Sequence, residues 1–308
     1  MSVLVISRLD NEHSDDVEIE LCSRGVKVER INVDEFEFKP IVVGFRLING
    51  IMVPTKEFKS VFVHHPVIED PSNVGVDELD KKLFISSWYN WLGWLEEECA
   101  NSIWVNQPSS TSKTMIIPHQ LRIAKKHGLT VPATCFTNDI STLKNFKDDH
   151  GVVVIKPGNL RGLRLKGKRM LTTLVDMECM DAETLSFSPC LFQEYICKAY
   201  ELRVHVIKDC VLTCRINSQV ATSTRTDWRR YSIAETPHFE HQLDTSVTKA
   251  VIEITHELGL KFGIIDLIVT PNGDHVFLEC NAQGHWKWIQ QLTGLKITQT
   301  VCDLLLSQ

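Results

Sequence analysis

The stretch 263-GIIDLIVTPNGDHVFLECNAQGHW-286 decides the fold. Two apolar runs, GIIDLIVT (263–270) and HVFLECN (275–281), flank Asn272-Gly273. Asn-Gly favours a two-residue hairpin turn because both central positions tolerate positive φ. A hairpin closed there sets Asp266 directly opposite Glu279, and Asn281, two residues on, shares their face. Carboxylates directly opposite each other in a sheet repel. The arrangement therefore reads either as a solvated polar face or as a cation site, and the apolar surroundings favour the cation. Three hard oxygen donors suit Mg²⁺, which takes one or two carboxylates and leaves its other positions to water and phosphate.

Upstream lie ELRVHV (201–206) and VLTCRINS (211–218). Glu201, Arg203 and His205 alternate onto one strand face, as do Thr213, Arg215 and Asn217 on the next. A three-residue connection at 208–210 predicts Arg203 opposite Arg215, and paired guanidiniums imply an anion between them. Earlier still, the strand GVVVIKP (151–157) ends in Lys156 and opens the segment 156-KPGNLRGLRLKGKR-169, basic and free of acids. Lys156 reads equally as a phosphate ligand or as a lysine reaching solvent. Gly162 and Gly167-Lys168 nearly match a P-loop, but Arg169 stands where Ser or Thr must hold Mg²⁺, so the match is discounted. The glycines and cations suggest a flap that closes over a polyphosphate.

The N-terminus reads strand (3–7), helix (14–24, capped by Ser14), strand (26–33), a βαβ opening to an α/β domain. Asn49-Gly50 marks a hairpin within 42–53, and a strand covers 60–66. Trp88, Trp91 and Trp94 predict a buried helix face between 77 and 100. A helix at 119–128 follows the connection VNQPSSTSK (105–113), and further helices cover 243–258 and 296–306.

The 308 residues carry 33 Lys plus Arg against 39 Asp plus Glu, and 43% are hydrophobic. This excludes a disordered chain, and the mild acidity argues against nucleic acid as partner. No run approaches the ~18–20 apolar residues of a membrane span. Ten cysteines without a secretory signal predict reduced core thiols and a cytoplasmic protein. Neither His64-His65 nor His238 with His241 has metal-ligand neighbours in sequence, so no zinc site is expected. No internal repeat is present, and HExxH, GxSxG and GxGxxG motifs are absent.

The order VVVIKPG, LFQEYICKAYELRV, RINSQ, TDWRRY, GIIDLIV, VFLECNAQGHW resembles the ATP-grasp superfamily. Within it the chain is similar to the ribosomal-protein glutamate ligases and the microviridin-type (graspetide) peptide macrocyclases, over nearly its whole length. The resemblance implies an α/β ATP-grasp fold: an N-terminal pre-ATP-grasp domain (1–106), a central lobe (107–190) and a C-terminal mixed-sheet lobe (191–308). It implies ATP and Mg²⁺, with Lys156 on the phosphates and adenine region. Glu194, Tyr195 and Ile196 become the adenine hinge, with Glu201 on the ribose. Arg203, Arg215 and Arg229 meet phosphate or acyl phosphate, Arg230 and Tyr231 continue the nucleotide segment, and Asp266, Glu279 and Asn281 hold metal. The expected reaction is carboxylate activation as an acyl phosphate, releasing ADP and phosphate, with ester or amide crosslinks closed in a ribosomal precursor peptide. The leader would dock on the aromatic stretch 84–104 and part of 130–185, with no nucleic-acid or membrane partner, and the family suggests a homodimer. Alternatives are a ligase of amino acids or small peptides, and a nucleotide-binding regulator without catalysis. The family's second ATP-contacting lysine falls at Ile117, for which Lys113 is the substitute on offer. Its paired arginines of the N-terminal domain are replaced by His64-His65.

Overall fold

The computed structural model describes residues 2–34, 45–48, 51–54, 57–66, 77–156, 164–165, 168–169, 171–220, 224, 226–227 and 236–307. The N-terminal unit runs β1 (Ser2–Ser7), α1 (Glu12–Ser23), β2 (Lys27–Asn32), the hairpin β3 (Phe45–Ile48) and β4 (Ile51–Pro54), β5 (Ser60–His64), α2 (Glu78–Glu98) and β6 (Ile103–Val105). Strands β2-β1-β5-β6 form a parallel sheet. Both faces are covered, which is why VLVI at 3–6 is apolar without alternation. Val3, Val5 and Phe62 pack towards α1, whereas Leu4, Ile6, Val61 and Val63 pack on α2. Ile48 pairs with Ile51, the register expected from Asn49-Gly50, which themselves lie outside the described residues.

Two local expectations change. Helix α1 starts at Glu12, not Ser14, because the Asn11 side chain accepts the Ser14 N–H at 3.0 Å and caps the helix. On α2, Trp91 is buried and Trp88 partly so, but Trp94 is 57% exposed. Steps of three residues drift around a helix of 3.6 residues per turn, so Leu92 and Leu95 complete the buried stripe instead.

Helices α3 (Pro108–Lys113) and α4 (Ile117–Lys126) lead to the middle unit: β7 (Thr134–Thr137), α5 (Ile140–His150), β8 (Val153–Lys156), β9 (Arg164–Leu165), β10 (Lys168–Arg169), β11 (Thr173–Leu174), α6 (Ala182–Ser186) and β12 (Cys190–Glu194). Strands β11-β8-β12-β7 form an antiparallel sheet, backed by Leu143 of α5 and Leu185 of α6. In the basic segment, β9 and β10 pair as a short ladder, and the residues between Lys156 and β9 lie outside the described set.

The C-terminal unit comprises β13 (Tyr200–Ile207), β14 (Cys210–Ile216), β15 (His238–His241), α7 (Thr245–Glu257), β16 (Phe262–Val269), β17 (His275–Asn281), α8 (Lys287–Thr293) and α9 (Ile297–Leu306). Its five strands, β15-β14-β13-β16-β17, are antiparallel, and a parallel bridge from Thr130 to Val276 adds the mixed character. One face, carrying Leu202, Val204, Val206, Ile265 and Leu267, packs on α4 and α7. The other divides along its length. Its Phe262–Ile264 end is covered by Trp286, α9 and the N-terminal sheet, and its Ile268 end stays open towards the middle sheet. That uncovered end makes the cleft.

All ten cysteines are free, but only Cys99, Cys214, Cys280 and Cys302 are core thiols; Cys22, Cys179, Cys197 and Cys210 are exposed. No helix among the described residues is long and apolar enough to cross a membrane.

Candidate active site

The cleft lies between the middle sheet and the C-terminal sheet, and Lys156, Glu194, Tyr195, Ile196, Glu201, Asp266 and Glu279 all line it. Residues read separately from sequence are thus brought to one place. Lys156, half-buried at the end of β8, lies opposite Leu191 of β12. The hinge is tied to the middle unit by its own backbone. The Glu194 N–H donates to Ala133 O at 3.0 Å, the Tyr195 N–H donates to Val152 O at 2.8 Å, and Glu194 Oε1 accepts the Ala133 N–H at 2.8 Å. Those two N–H groups already have acceptors, so the Ile196 backbone is the next available to a base in the cleft.

At the other end Asp266 of β16 stands directly opposite Glu279 of β17, as expected, but by a different route. The turn is longer by one residue: Thr270 and Asp274 bond across Pro271-Asn272-Gly273, with Gly273 at φ 91°, the three-residue hairpin with its glycine at positive φ. Near the turn Leu267 therefore pairs with Phe277, and a bulge at Leu278 restores Asp266 to Glu279. Two offsets cancel. The bulge also turns Leu278 towards the cleft.

Arg203 is committed at this point. Its Nη1 donates to Asp266 Oδ1 at 2.9 Å and Oδ2 at 3.2 Å, and its Nη2 donates to the His285 carbonyl at 3.1 Å, with the side chain 10% exposed. The expected pair with Arg215 does not form. Lys208, at φ 54°, and Asp209 make a two-residue turn, so Arg203 pairs with Cys214 and Arg215 with Leu202. One residue less in the turn turns every β14 side chain to the other face. Arg215 instead lies over the Tyr200 ring at 3.8 Å and donates to Asn217 Oδ1 at 2.8 Å. Ile117 is buried in the core and Lys113 is exposed, away from the cleft lining. Arg229, Arg230 and Tyr231 lie outside the described residues.

The oxygen set fits a hard divalent cation. Asp266 and Glu279 face each other across the ladder, and the thiol of Cys280, the β17 residue after Glu279, is pushed up by burial and then by the charges of both carboxylates. Asn281 Nδ2 donates to Glu279 Oε1 at 3.3 Å, and turning the carboxamide over presents its oxygen instead. All three donors are hard oxygens, the Mg²⁺ preference.

Two charged cleft residues carried no assignment from sequence. Lys198 Nζ donates to Glu201 Oε1 at 2.8 Å and to Thr226 O at 3.2 Å, with 4% and 11% of the two side chains exposed. Asp227, 4% exposed, accepts the Thr172 N–H at 3.2 Å through Oδ2. Lys198 sits inside the quoted motif, and a lysine three residues before a strand glutamate is the signal that could have found it. A third group contradicts the expectation that His64-His65 lacks partners. His13, His64, His65 and His285 gather around Trp286, with His13 Nε2 and His285 Nδ1 2.9 Å apart. Burial, then the neighbouring His285 and His65, push His13 down to about 3.

No protein-family model matches this sequence, and no curated protein matches it. Solved structures do. A RiPP-associated ATP-grasp ligase of Chryseobacterium gregarium, in complex with ADP and a leader and core peptide, is 26% identical with a TM-score of 0.86, covering 99% of this chain and 96% of that one. The macrocyclase MdnC of Microcystis aeruginosa MRC, bound with precursor peptide MdnA, is 24% identical with a TM-score of 0.81 over the full length of both. The D-cycloserine synthetase DcsG shares the fold more distantly, at 12% identity and a TM-score of 0.61. With its facing carboxylates, its lysine-bearing strand and residues 194–196 placed around one cleft, this chain has the fold of the ATP-grasp ligases and is similar along nearly its whole length to the RiPP-associated ones.

Proposed function

We propose that the protein is an ATP- and Mg²⁺-dependent ligase that closes side-chain ester or amide crosslinks in a ribosomal precursor peptide. The observation that carries this reading is the cleft itself, with Lys156 and the hinge at one end and the facing carboxylates Asp266 and Glu279 at the other. The likeness to a ligase solved with ADP and a leader and core peptide supports the choice of substrate. Residues 1–106, 107–190 and 191–308 are taken as the three lobes, and the cytoplasm, where ATP and nascent peptide meet, as the setting.

A peptide carboxylate oxygen attacks the γ-phosphorus and ADP leaves, giving an acyl phosphate. A hydroxyl or amine then attacks the acyl carbon, phosphate leaves, and the nucleophile's proton is lost. Lys156 supplies positive charge at the phosphates, while the hinge backbone and Glu201 orient the nucleoside. Asp266, Glu279 and Asn281 would hold Mg²⁺, which supplies charge neutralisation at the transferring phosphoryl group. Arg203 fixes Asp266 in place. No protein nucleophile is needed, and Cys280, with its raised thiol, is unsuited to act as one.

Incubation with ATP, Mg²⁺ and an acidic, Ser/Thr/Lys-containing precursor is expected to remove about 18 Da per crosslink, one water, with one ADP released each time. Mass spectrometry that shows an added amino-acid mass, or ADP release with no change across candidate precursors, rejects the crosslinking reading. Lys198 yields a second expectation, because it holds the glutamate assigned to the ribose. Lys198→Met should raise the KM for ATP about tenfold, roughly 1.4 kcal/mol, with kcat little changed. Lys198→Arg should recover part of that loss. A fall in kcat at unchanged KM places Lys198 elsewhere in the reaction.

A further inference from the structure

We propose that Glu12, His13 and His285 form an exchangeable site for a divalent transition metal of the zinc class, separate from the oxygen site at Asp266 and Glu279. The inference goes beyond the ligase reading and does not depend on it. Donor atoms from the three residues lie within 4.8 Å of one another. They come from the first turn of α1 and from the segment that follows β17, so only the folded chain assembles them. The support beneath is built. Asn11 caps α1 and also donates through Nδ2 to the His64 carbonyl at 3.2 Å, and the buried His13 ring lies 4.3 Å from the Trp286 ring.

Two imidazoles and one carboxylate are a zinc donor set that leaves a fourth position open. Magnesium prefers oxygen, so the two sites sort metals by ligand chemistry. The spacing is close to what ligation needs. Ligands about 2.0–2.1 Å from zinc stand roughly 3.3–3.4 Å apart in a tetrahedron. His13 Nε2 lies 2.9 Å from His285 Nδ1 and 3.9 Å from Glu12 Oε1, so displacements of a few tenths of an ångström bring both pairs into range, and the third pair lies within 4.8 Å. Glu12 and His285 are exposed and can make them.

Charge permits a cation there. Lys287 Nζ, 3.9 Å from Glu12 Oε2, is held more closely by Asp16 at 3.0 Å, and Arg203 is engaged by Asp266. Glu12 and Asp16 together thus exceed Lys287 by one negative charge. Affinity has a ceiling, however. His13 Nδ1 is buried with no hydrogen-bond partner, whereas metal-bound histidines normally have an acceptor behind that nitrogen, worth about 10–100-fold in affinity. The ion is therefore exchangeable, and the fold survives without it. Because the His285 carbonyl accepts from Arg203, an ion here adjoins the Arg203–Asp266 pair.

The test is titration of chelator-treated, nucleotide-free full-length protein with Co²⁺, read by its visible absorption, together with equilibrium dialysis against Zn²⁺. One ion per chain with an affinity on the order of 10 μM is expected, reversed by EDTA without loss of far-UV circular dichroism. Glu12→Ala and His285→Ala, both at exposed positions, should weaken binding at least tenfold. Glu279→Gln should leave the Co²⁺ spectrum intact, which separates this site from the one assigned to Mg²⁺. Absence of binding at 100 μM, binding unchanged in His285→Ala, or loss of the spectrum in Glu279→Gln would each overturn the proposal.

Discussion

Glu279→Gln should abolish turnover while leaving the apo protein as stable as before or slightly more so. Glu279 stands opposite Asp266 across the ladder, and like charges so placed are destabilising by roughly 0.2–1 kcal/mol, which neutralisation relieves. The same change removes one of two carboxylates available to a metal. Charge stabilisation at a transferring phosphoryl group is worth several kcal/mol, so a loss of at least ~10³-fold in ADP release, about 4 kcal/mol, is expected. Thermal melts with and without Mg²⁺ and ADP complete the measurement. The wild type should gain stability from the ligands and the variant should gain little. Activity within tenfold of wild type would refute the metal assignment.

Arg203→Ala should cost stability and activity together, for a different reason. Arg203 and Asp266 form a largely buried pair at 2.9 Å, with side-chain exposures of 10% and 19%. Removing one partner of a fully buried pair costs about 3–5 kcal/mol because an uncompensated charge remains. Partial exposure of Asp266 reduces this to about 2–4 kcal/mol, and the midpoint of unfolding should fall by roughly 3–6 °C. The loss of the bond to the His285 carbonyl adds to it. Arg203→Met combined with Asp266→Leu removes both charges, so it should recover most of the stability and none of the turnover. If the double variant melts no higher than Arg203→Ala, packing around the guanidinium, not the orphaned carboxylate, carries the cost.

Much of the site was legible along the chain because strands alternate with a period of two. Asp266, Glu279 and Asn281 could be placed on one hairpin face, and Lys156 at a strand end, without tertiary information. Turn length was less legible, and its consequences depended on position. At Asn272-Gly273 the turn is one residue longer than expected, and the bulge at Leu278 restores the pairing of Asp266 with Glu279. At Lys208-Asp209 the turn is one residue shorter than expected with no compensating bulge, so Arg215 moves to the other face.

Local pattern therefore settles which residues alternate, and the packing of the whole sheet settles their register. The amino-acid order alone was sufficient for the α/β class, the carboxylate hairpin and the lysine strand, because each lies within one or two adjacent elements whose period is encoded residue by residue. The commitment of Arg203 to Asp266, the Lys198–Glu201 pair within the cleft and the gathering of His13, His64, His65 and His285 were decided by tertiary structure. Those contacts depend on β-sheet register or on helix and loop ends that meet only after the N-terminal and C-terminal sheets bury their apolar faces against α1, α9 and Trp286. No short-range periodicity records such a meeting, since hydrophobic burial is non-directional and fixes position only through the assembled core.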